Sequence, residues 1–424
     1  MIRFLLKGII NDKSRSILPV IVVSIGVALT VLMTCWLNGI MGDVIEMNAA
    51  FSTGHIKIMT RAYAKDAAQN PNDLALLNTG ELVKQLRTDY PGTEWVERIK
   101  YTVLIDFPDK NGETRAQGPA FGWGIDLLSK GSKEKERFNI EKALVRGRIP
   151  AEQGEALISD DFAQKFNIRP GDEFTVFGTT MDGGMAFRNF TVAGTLRFGS
   201  GALDRGAVIM DIRDARLTFD MNDASGEVLG YFKSGYYNEE EASRIVNTFN
   251  AAYAGSEDEF APVMFRLSDQ EGMGEYITLI DNTSGIMVLI FVLAMSVVLW
   301  NAGLLGGLRR YNEFGVRLAL GEEKKHIYTT LLYEGIIIGL LGSIAGTVTG
   351  LSISWYLQEH GLDFGSIMKN ASLMMPSVFK ARLSLTAYYI GFIPGVFSMV
   401  LGNALSGIGI YKRKTAQLFK ELEV

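Results

Sequence analysis

A chain of 424 residues with 42 Lys/Arg, 47 Asp/Glu and a net charge of −5 is long enough for two or three ordinary domains. An apolar fraction of 47% excludes disorder, glycine without a period excludes a collagen-like repeat, and a single cysteine, Cys35, excludes a disulfide framework. A mean hydropathy of +0.13 with 21% charged residues means that charged and apolar residues are segregated along the chain, as in a membrane protein.

In chain order, residues 1–15 carry Ile2, Leu5, Leu6, Ile9 and Ile10 at i, i+3, i+4, i+7 and i+8, with Arg3, Lys7 and Asn11 elsewhere on the wheel. This pattern predicts an amphipathic helix lying on the cytoplasmic face of the lipid bilayer. Residues 16–42 hold no charge and predict the first transmembrane helix. It is expected to be retained, because its apolar stretch is too long for a signal peptide and Cys35-Trp36-Leu37-Asn38 offers no small-residue cleavage site.

Residues 43–281 predict a folded extracytoplasmic domain. Strands rich in Val, Ile, Phe and Thr are expected at 55–59, 95–107, 155–159, 173–177, 187–193 and 207–210. Helical spacing covers 76–88 and 238–253, with Tyr90-Pro91-Gly92 and Gly255 as stop signals. Helix-bearing segments thus flank a strand-rich middle, which predicts an α+β domain with an inserted, mostly β subdomain at about 125–219. Three further uncharged runs, 282–308, 335–358 and 383–411, predict transmembrane helices two to four. They are joined by a cytoplasmic loop at 309–334 and a short extracytoplasmic loop at 359–382, and are followed by a cytoplasmic tail at 412–424. The expected fold class is therefore an α-helical membrane protein with four transmembrane helices and a large α+β extracytoplasmic domain.

Charge sets the expected orientation. Residues 43–281 contain 26 Lys/Arg against 38 Asp/Glu, whereas the rest of the chain contains 16 against 9. The short segments before the first run, between the second and third, and after the fourth concentrate the basic residues, among them Arg309, Arg310, Arg317, Lys324, Lys325, Lys412 and Arg413. The positive-inside bias places all three, and so both termini, in the cytoplasm of a multi-pass cell-membrane protein.

The loop at 309–334 reads Glu313-Phe314-Gly315-Val316-Arg317-Leu318-Ala319-Leu320-Gly321 at its centre. A short helix at 312–320 would set Phe314 and Leu318 one turn apart, with Glu313 and Arg317 as flanking charged partners and Gly321 as the stop. A solvated charged turn fits the composition equally well. Gly342, Gly346 and Gly350 form a small-residue ridge on the third span, suited to packing against another span of the same subunit or, as the alternative, to a dimer seam.

Catalytic, metal and cofactor chemistry is not expected. His55, His326 and His360 are scattered, no cysteine set exists, and the spans hold almost no ionisable residue for a proton relay. No G-x-x-x-x-G-K-[ST] phosphate cradle occurs, so ATP hydrolysis is expected in a partner. No nucleic-acid partner is expected.

The 313–321 motif resembles the cytoplasmic motif of the FtsX-like permeases, the ABC-transporter family that includes the LolC and LolE lipoprotein-release subunits and MacB. One span, a large outer domain and three clustered spans are also that family's layout, and Thr53-Gly54-His55-Ile56 resembles the entry to its outer domain. Gly124-Ile125-Asp126, 158–163 and Ile168-Arg169-Pro170-Gly171-Asp172 resemble its inserted subdomain, so the periplasmic part is expected to be MacB-like. One departure stands at the end, where Lys412-Arg413-Lys414 runs into Thr415-Ala416 without the family's usual proline.

The resemblance implies two permease subunits, identical or paralogous, with two copies of an ABC ATPase subunit. Because only residues 1–15 precede the first run, the LolC/LolE-like arrangement with a separate ATPase is expected. ATPase coupling falls to Glu313, Phe314, Gly315, Arg317, Leu318 and Gly321, through which nucleotide-driven closure reaches the outer domains without a conduit for substrate. The implied function is lipoprotein release or transport, or efflux of a periplasmic substrate, with a lipoprotein, chaperone or periplasmic adaptor as further partner. The alternative is an FtsX-type signalling scaffold that controls a cell-wall hydrolase.

Overall fold

The computed structural model describes residues 13–109, 111–199, 201, 203–270, 272–308, 310–363 and 378–412. Ile2, Leu5, Leu6, Ile9 and Ile10, expected on a membrane-surface helix, lie outside the described residues, as does the tail from 413 onward. The described residues divide into a helical unit (13–42, 279–363 and 378–412) and a second unit within 43–278.

Uncharged apolar runs give long helices, Lys13–Asn48, which carries Pro19 in its second turn, Met273–Leu308 and Lys324–His360. At 1.5 Å per residue each extends about 54 Å, well beyond the roughly 30 Å of a hydrocarbon core. Among the described residues four helical segments are long and apolar enough to cross a membrane, the fourth being Leu385–Ile408. That fourth segment is not the continuous helix expected over 383–411. It opens with a 3₁₀ turn at Leu385–Tyr388, passes a π turn at Ile393–Phe397 and becomes regular only at Ser398–Lys412. The physical reason is Pro394, which has no N–H to donate to the preceding turn, flanked by Gly391 and Gly395.

Glycines let these helices approach closely, since apolar burial alone drives no association in hydrocarbon. A Cβ at Gly402 would stand 2.5 Å from the Trp300 carbonyl oxygen, and one at Gly391 would stand 2.5 Å from Val27 Cγ1. The return segment after the third span runs beside the first, where the Arg382 N–H donates to the Cys35 carbonyl (2.9 Å) and Asn38 Nδ2 donates to Ser384 Oγ (2.9 Å).

The second unit is built on one ten-stranded sheet. Its strands are β1 (Ile56–Thr60), β2 (Thr93–Pro108), β3 (Thr114–Ile125), β4 (Leu144–Gly147), β5 (Glu155–Ser159), β6 (Glu173–Thr179), β7 (Met185–Leu196), β8 (Ala207–Asp211), β9 (Glu227–Phe232) and β10 (Pro262–Arg266). The order is β10-β1-β9-β2-β3-β8-β5-β7-β4, with β6 bridging β2 and β7; β3/β8 and β5/β7 are parallel. β2 belongs to both halves: residues 93–98 pair with β9, and 99–108 pair with β3.

The strand-rich part therefore begins near Ile99, and β3 lies inside it, so the expected boundary at 125 cuts through the sheet. The alternation of β3 is hidden in the sequence by Gly118, Pro119, Gly122 and Gly124. Gly122 is there because β8 comes so near that a Cβ would stand 1.8 Å from the Val208 carbonyl oxygen.

Three cores stabilise this unit. Ile56, Ile58, Trp95 and Val228 pack with Val83, Leu86, Ile245 and Phe249 of two amphipathic helices, Thr79–Asp89 and Glu239–Ala252. The second helix begins where expected, since the Asn238 side chain accepts from the Glu241 N–H (3.0 Å) and three glutamates occupy its first turn. The first begins three residues later than expected, because Leu76 and Leu77 pair with Ser225 and Ala224. A second core gathers Tyr101, Ile105, Phe107, Phe174, Phe190 and Phe219, and a third gathers Phe51, Trp123, Phe138 and Phe198.

Candidate functional site

The loop after the second span folds as a short helix, Tyr311–Ala319. Its end is fixed by Gly321, whose φ of +93° is open to glycine, while the Glu322 N–H donates to the Arg317 carbonyl and the Gly321 N–H to the Leu318 carbonyl, both at 3.1 Å. These two bonds close the last turn, and the charged residues beyond it start the third long helix at Lys324.

The two faces of this helix are not those expected. Phe314 is 1% exposed and packs with Tyr311, Ile327 and Leu331, with Leu318 partly buried against the same cluster. Phe314 is thus a core residue of this chain and not an anchor held out to a partner; the turn between the two long helices has to be filled, and its ring fills it. The outward apolar pair is Val316 and Leu320, 48% and 82% exposed and also one turn apart. Gly315 is buried beside Phe314.

Glu313 is met by Arg310, three residues before it, and Arg317 by Glu322, five residues after it. Arg310 donates to Glu334 Oε2 (2.5 Å) and to Glu313 Oε2 (3.4 Å), and Arg317 grips Glu322 through Nε (2.6 Å) and Nη2 (2.5 Å). Burial would lower the Arg310 guanidinium, but Glu334 and Glu313 outweigh it and raise its pKa above the ordinary value. Arg317 holds Glu322 below the usual carboxylate range. Tyr311 Oη donates to the Ser406 carbonyl (2.6 Å), so the short helix is fastened to the third span by Arg310–Glu334 and to the fourth by Tyr311. Arg310, Tyr311, Val316 and Leu320 escape the motif reading because only the fold shows which side of the helix is covered.

On the third span, Gly342, Gly346 and Gly350 all lie against the first. A Cβ at these positions would stand 2.6 Å from Val23 Cβ, 2.5 Å from the Ser24 carbonyl oxygen and 2.9 Å from the Ala28 carbonyl oxygen, respectively.

The histidines serve separate surroundings. His55 is buried, accepts from the Phe232 N–H at Nδ1 (3.0 Å) and therefore donates from Nε2 to Glu46 (2.7 Å). His326 lies beside Glu322, and His360 stacks on Tyr356. A group that sequence reasoning missed is Arg98, wholly buried, which donates to Glu134 Oε2 (2.7 Å) and to the carbonyls of Phe51 (2.9 Å) and Ala50 (2.8 Å). Its cation neutralises the carbonyl end of the π turn, Ala49–Thr53, that follows the first long helix.

A family model for the MacB-like periplasmic core domain matches residues 16–248, more than half of the chain, and one for the FtsX-like permease C-terminal region matches 285–415. With the four membrane-length apolar helical segments among the described residues, these matches define a multi-pass membrane permease. The chain belongs to the FtsX/MacB family of ABC-transporter permeases.

It is 29% identical over 115 residues to the macrolide export ATP-binding/permease protein MacB of Wolinella succinogenes, covering 26% of this chain and 17% of that one. With the MacB of Hyphomonas neptunium the identity is 28% over 183 residues, covering 41% and 27%. The matches thus span well under a third of either relative. The periplasmic region of MacB from Actinobacillus actinomycetemcomitans aligns over 55% of this chain and 96% of its own, at 12% identity and a TM-score of 0.35.

Proposed function

We propose that this chain is the permease subunit of an inner-membrane ABC transporter in which a separate ATPase subunit drives conformational change in the extracytoplasmic domain. Both termini and the 309–334 loop face the cytoplasm, and two permease subunits, identical or paralogous, assemble with two ATPase copies. The transported or released cargo is a lipoprotein or another substrate presented outside the membrane, handed to a chaperone or periplasmic adaptor.

The observation that carries the reading is the exposed Val316–Leu320 edge on a short helix whose other face is locked to the third span. A partner seated on that edge moves the helix, and Arg310–Glu334 passes the movement into the span, since packed interfaces shift between discrete arrangements. Glu313, Gly315, Arg317, Leu318 and Gly321 keep the helix in shape, and Phe314 holds it down.

The test separates these roles. Val316→Asp combined with Leu320→Asp should leave insertion and thermal stability near those of the parent, yet lose the ATPase polypeptide on co-purification from native membranes, with mass spectrometry as readout. Loss of an apolar anchor at a hot spot costs about 2 kcal/mol or more, roughly thirtyfold in affinity. Phe314→Ala should instead loosen the protein itself by about 3 kcal/mol. A double variant that keeps its ATPase and its ATP-driven activity defeats the proposal. Co-purification of a cell-wall hydrolase in place of cargo or adaptor would assign the chain to signalling instead.

A further inference from the structure

On the face of β10-β1-β9-β2 opposite the Trp95 core lies a cleft of about 280 Å³. Its floor is ionic, with Lys57 on β1, Lys100 on β2 and Glu227 on β9. Both ammonium groups bond the same carboxylate oxygen, Glu227 Oε1, at 3.0 Å each, so two positive charges share one negative. The only other carboxylate among the described lining residues, Asp269, is already held by Arg266 Nε (2.8 Å) and Nη2 (2.5 Å). The floor therefore carries one surplus positive charge.

An ammonium has three donors, and among the described residues Lys57 and Lys100 each spend one. Lys57 has a side chain only 7% exposed, so bulk water reaches the rest of its donors poorly. Burying a charge this way is costly unless it is paired. Burial and the neighbouring Lys100 lower the Lys57 ammonium to about 8 despite Glu227. Phe265, opposite Lys57 in the β1/β10 pairing, and Met59, two residues along β1, flank Lys57 on the same face, and the rest of the lining mixes Ala64, Ala67 and Ala68 with Ser52, Thr53 and Gln270.

We propose that this cleft binds a small organic monocarboxylate, its head on the Lys57 and Lys100 ammonium groups and its apolar body against Met59 and Phe265. One negative charge matches the surplus on the floor, whereas a phosphate dianion would overshoot it. Met59 and Phe265, beside Lys57, give a short hydrocarbon body apolar contact that inorganic phosphate cannot use. The site needs neither ATPase nor cargo, so it stands or falls apart from the transport reading.

The test is isothermal titration of the full chain in detergent micelles at pH 7, with butyrate and inorganic phosphate as probes. Butyrate should bind saturably, about one per chain, and more tightly than phosphate. Lys100→Gln, at the more open of the two lysines, should weaken butyrate about tenfold or more, the fold-change expected when a charge-assisted hydrogen bond is lost. Lys57→Met should do the same where it folds. Lys130→Gln, on an exposed loop away from the cleft, should bind as the parent does, and because every variant carries the same micelle, partition of butyrate into detergent cancels. Absence of saturable heat, equal affinity in Lys100→Gln at an unchanged melting temperature, or phosphate binding tighter than butyrate would each overturn the proposal.

Discussion

Arg98 makes three kinds of contact at once: an ion pair with Glu134, hydrogen bonds to two backbone carbonyls, and a position 4.6 Å from the Phe138 ring centroid. Taking it away leaves Glu134 buried with Arg137 as its one ion partner among the described residues, and the Ala50 and Phe51 carbonyls without this donor. Arg98→Met should therefore cost about 3–5 kcal/mol, the range for breaking a buried pair from one side. Chemical denaturation of the full chain, followed by intrinsic fluorescence, reads the loss.

Glu227 offers a pH signature. Burial raises its carboxyl, but Lys100 and Lys57 outweigh burial and hold it at about 2, against about 4.3 in an unfolded chain. A carboxyl depressed in the folded state contributes its stability above the unfolded pKa and loses it as pH falls through the folded one. Stability of the parent should accordingly decline between about pH 5 and 2, and Glu227→Gln should flatten that decline while lowering stability at pH 7. A parallel decline in both proteins would refute this account.

At the scale of elements, the third span shows how a pattern becomes an interface. Four-residue spacing puts Gly342, Gly346 and Gly350 on one stripe, and the first span, with Val23, Val27 and Val31, lies in it. Gly346→Val would drive a side chain toward the Ser24 carbonyl oxygen, a backbone atom that cannot rotate away. The helices must separate, at a cost of about 1–3 kcal/mol or more. Gly306 on the second span has nothing within 4 Å of its would-be Cβ, so Gly306→Ala serves as the tolerated control. Melting temperatures of the two purified variants decide the matter, and equal values would count against close packing at the stripe. The broken fourth span follows the same logic in reverse, since Pro394 removes a helix bond and the bundle still accommodates the segment through Gly391 and Gly395 beside Val27.

For the molecule as a whole, the distribution of charge is the decisive quantity. A region with 38 acidic and 26 basic residues is joined to segments with 16 basic and 9 acidic ones, and orientation should follow the basic side. Single cysteines at Asp182 and Lys325, both exposed, can be introduced in a Cys35→Ser background and labelled with a membrane-impermeant maleimide. In intact spheroplasts Asp182→Cys should label and Lys325→Cys should not until the membrane is opened. The reverse pattern would invert the topology and defeat the proposed cytoplasmic contact with an ATPase.

Local chemistry determined much of this molecule in the sequence. Uncharged runs at 16–42, 282–308 and 335–358 give helices because hydrocarbon leaves the backbone no other partner, and Gly321 ends the short 311–319 helix because glycine is at ease at its φ. Short apolar runs bounded by polar residues, such as 155–159, were legible for the same local reason. What depended on distant neighbours was not. β3 hides behind glycines that β8 requires, β2 serves two halves of the sheet at once, and Phe314 and Val316 differ in burial although both are apolar residues of one short helix. Helical periodicity places residues on a wheel, but only the packing of Ile327 and Leu331 decides which side of the wheel is covered. The shared oxygen of Glu227, reached by lysines 43 positions apart on β1 and β2, exists only once β9 is laid between those strands.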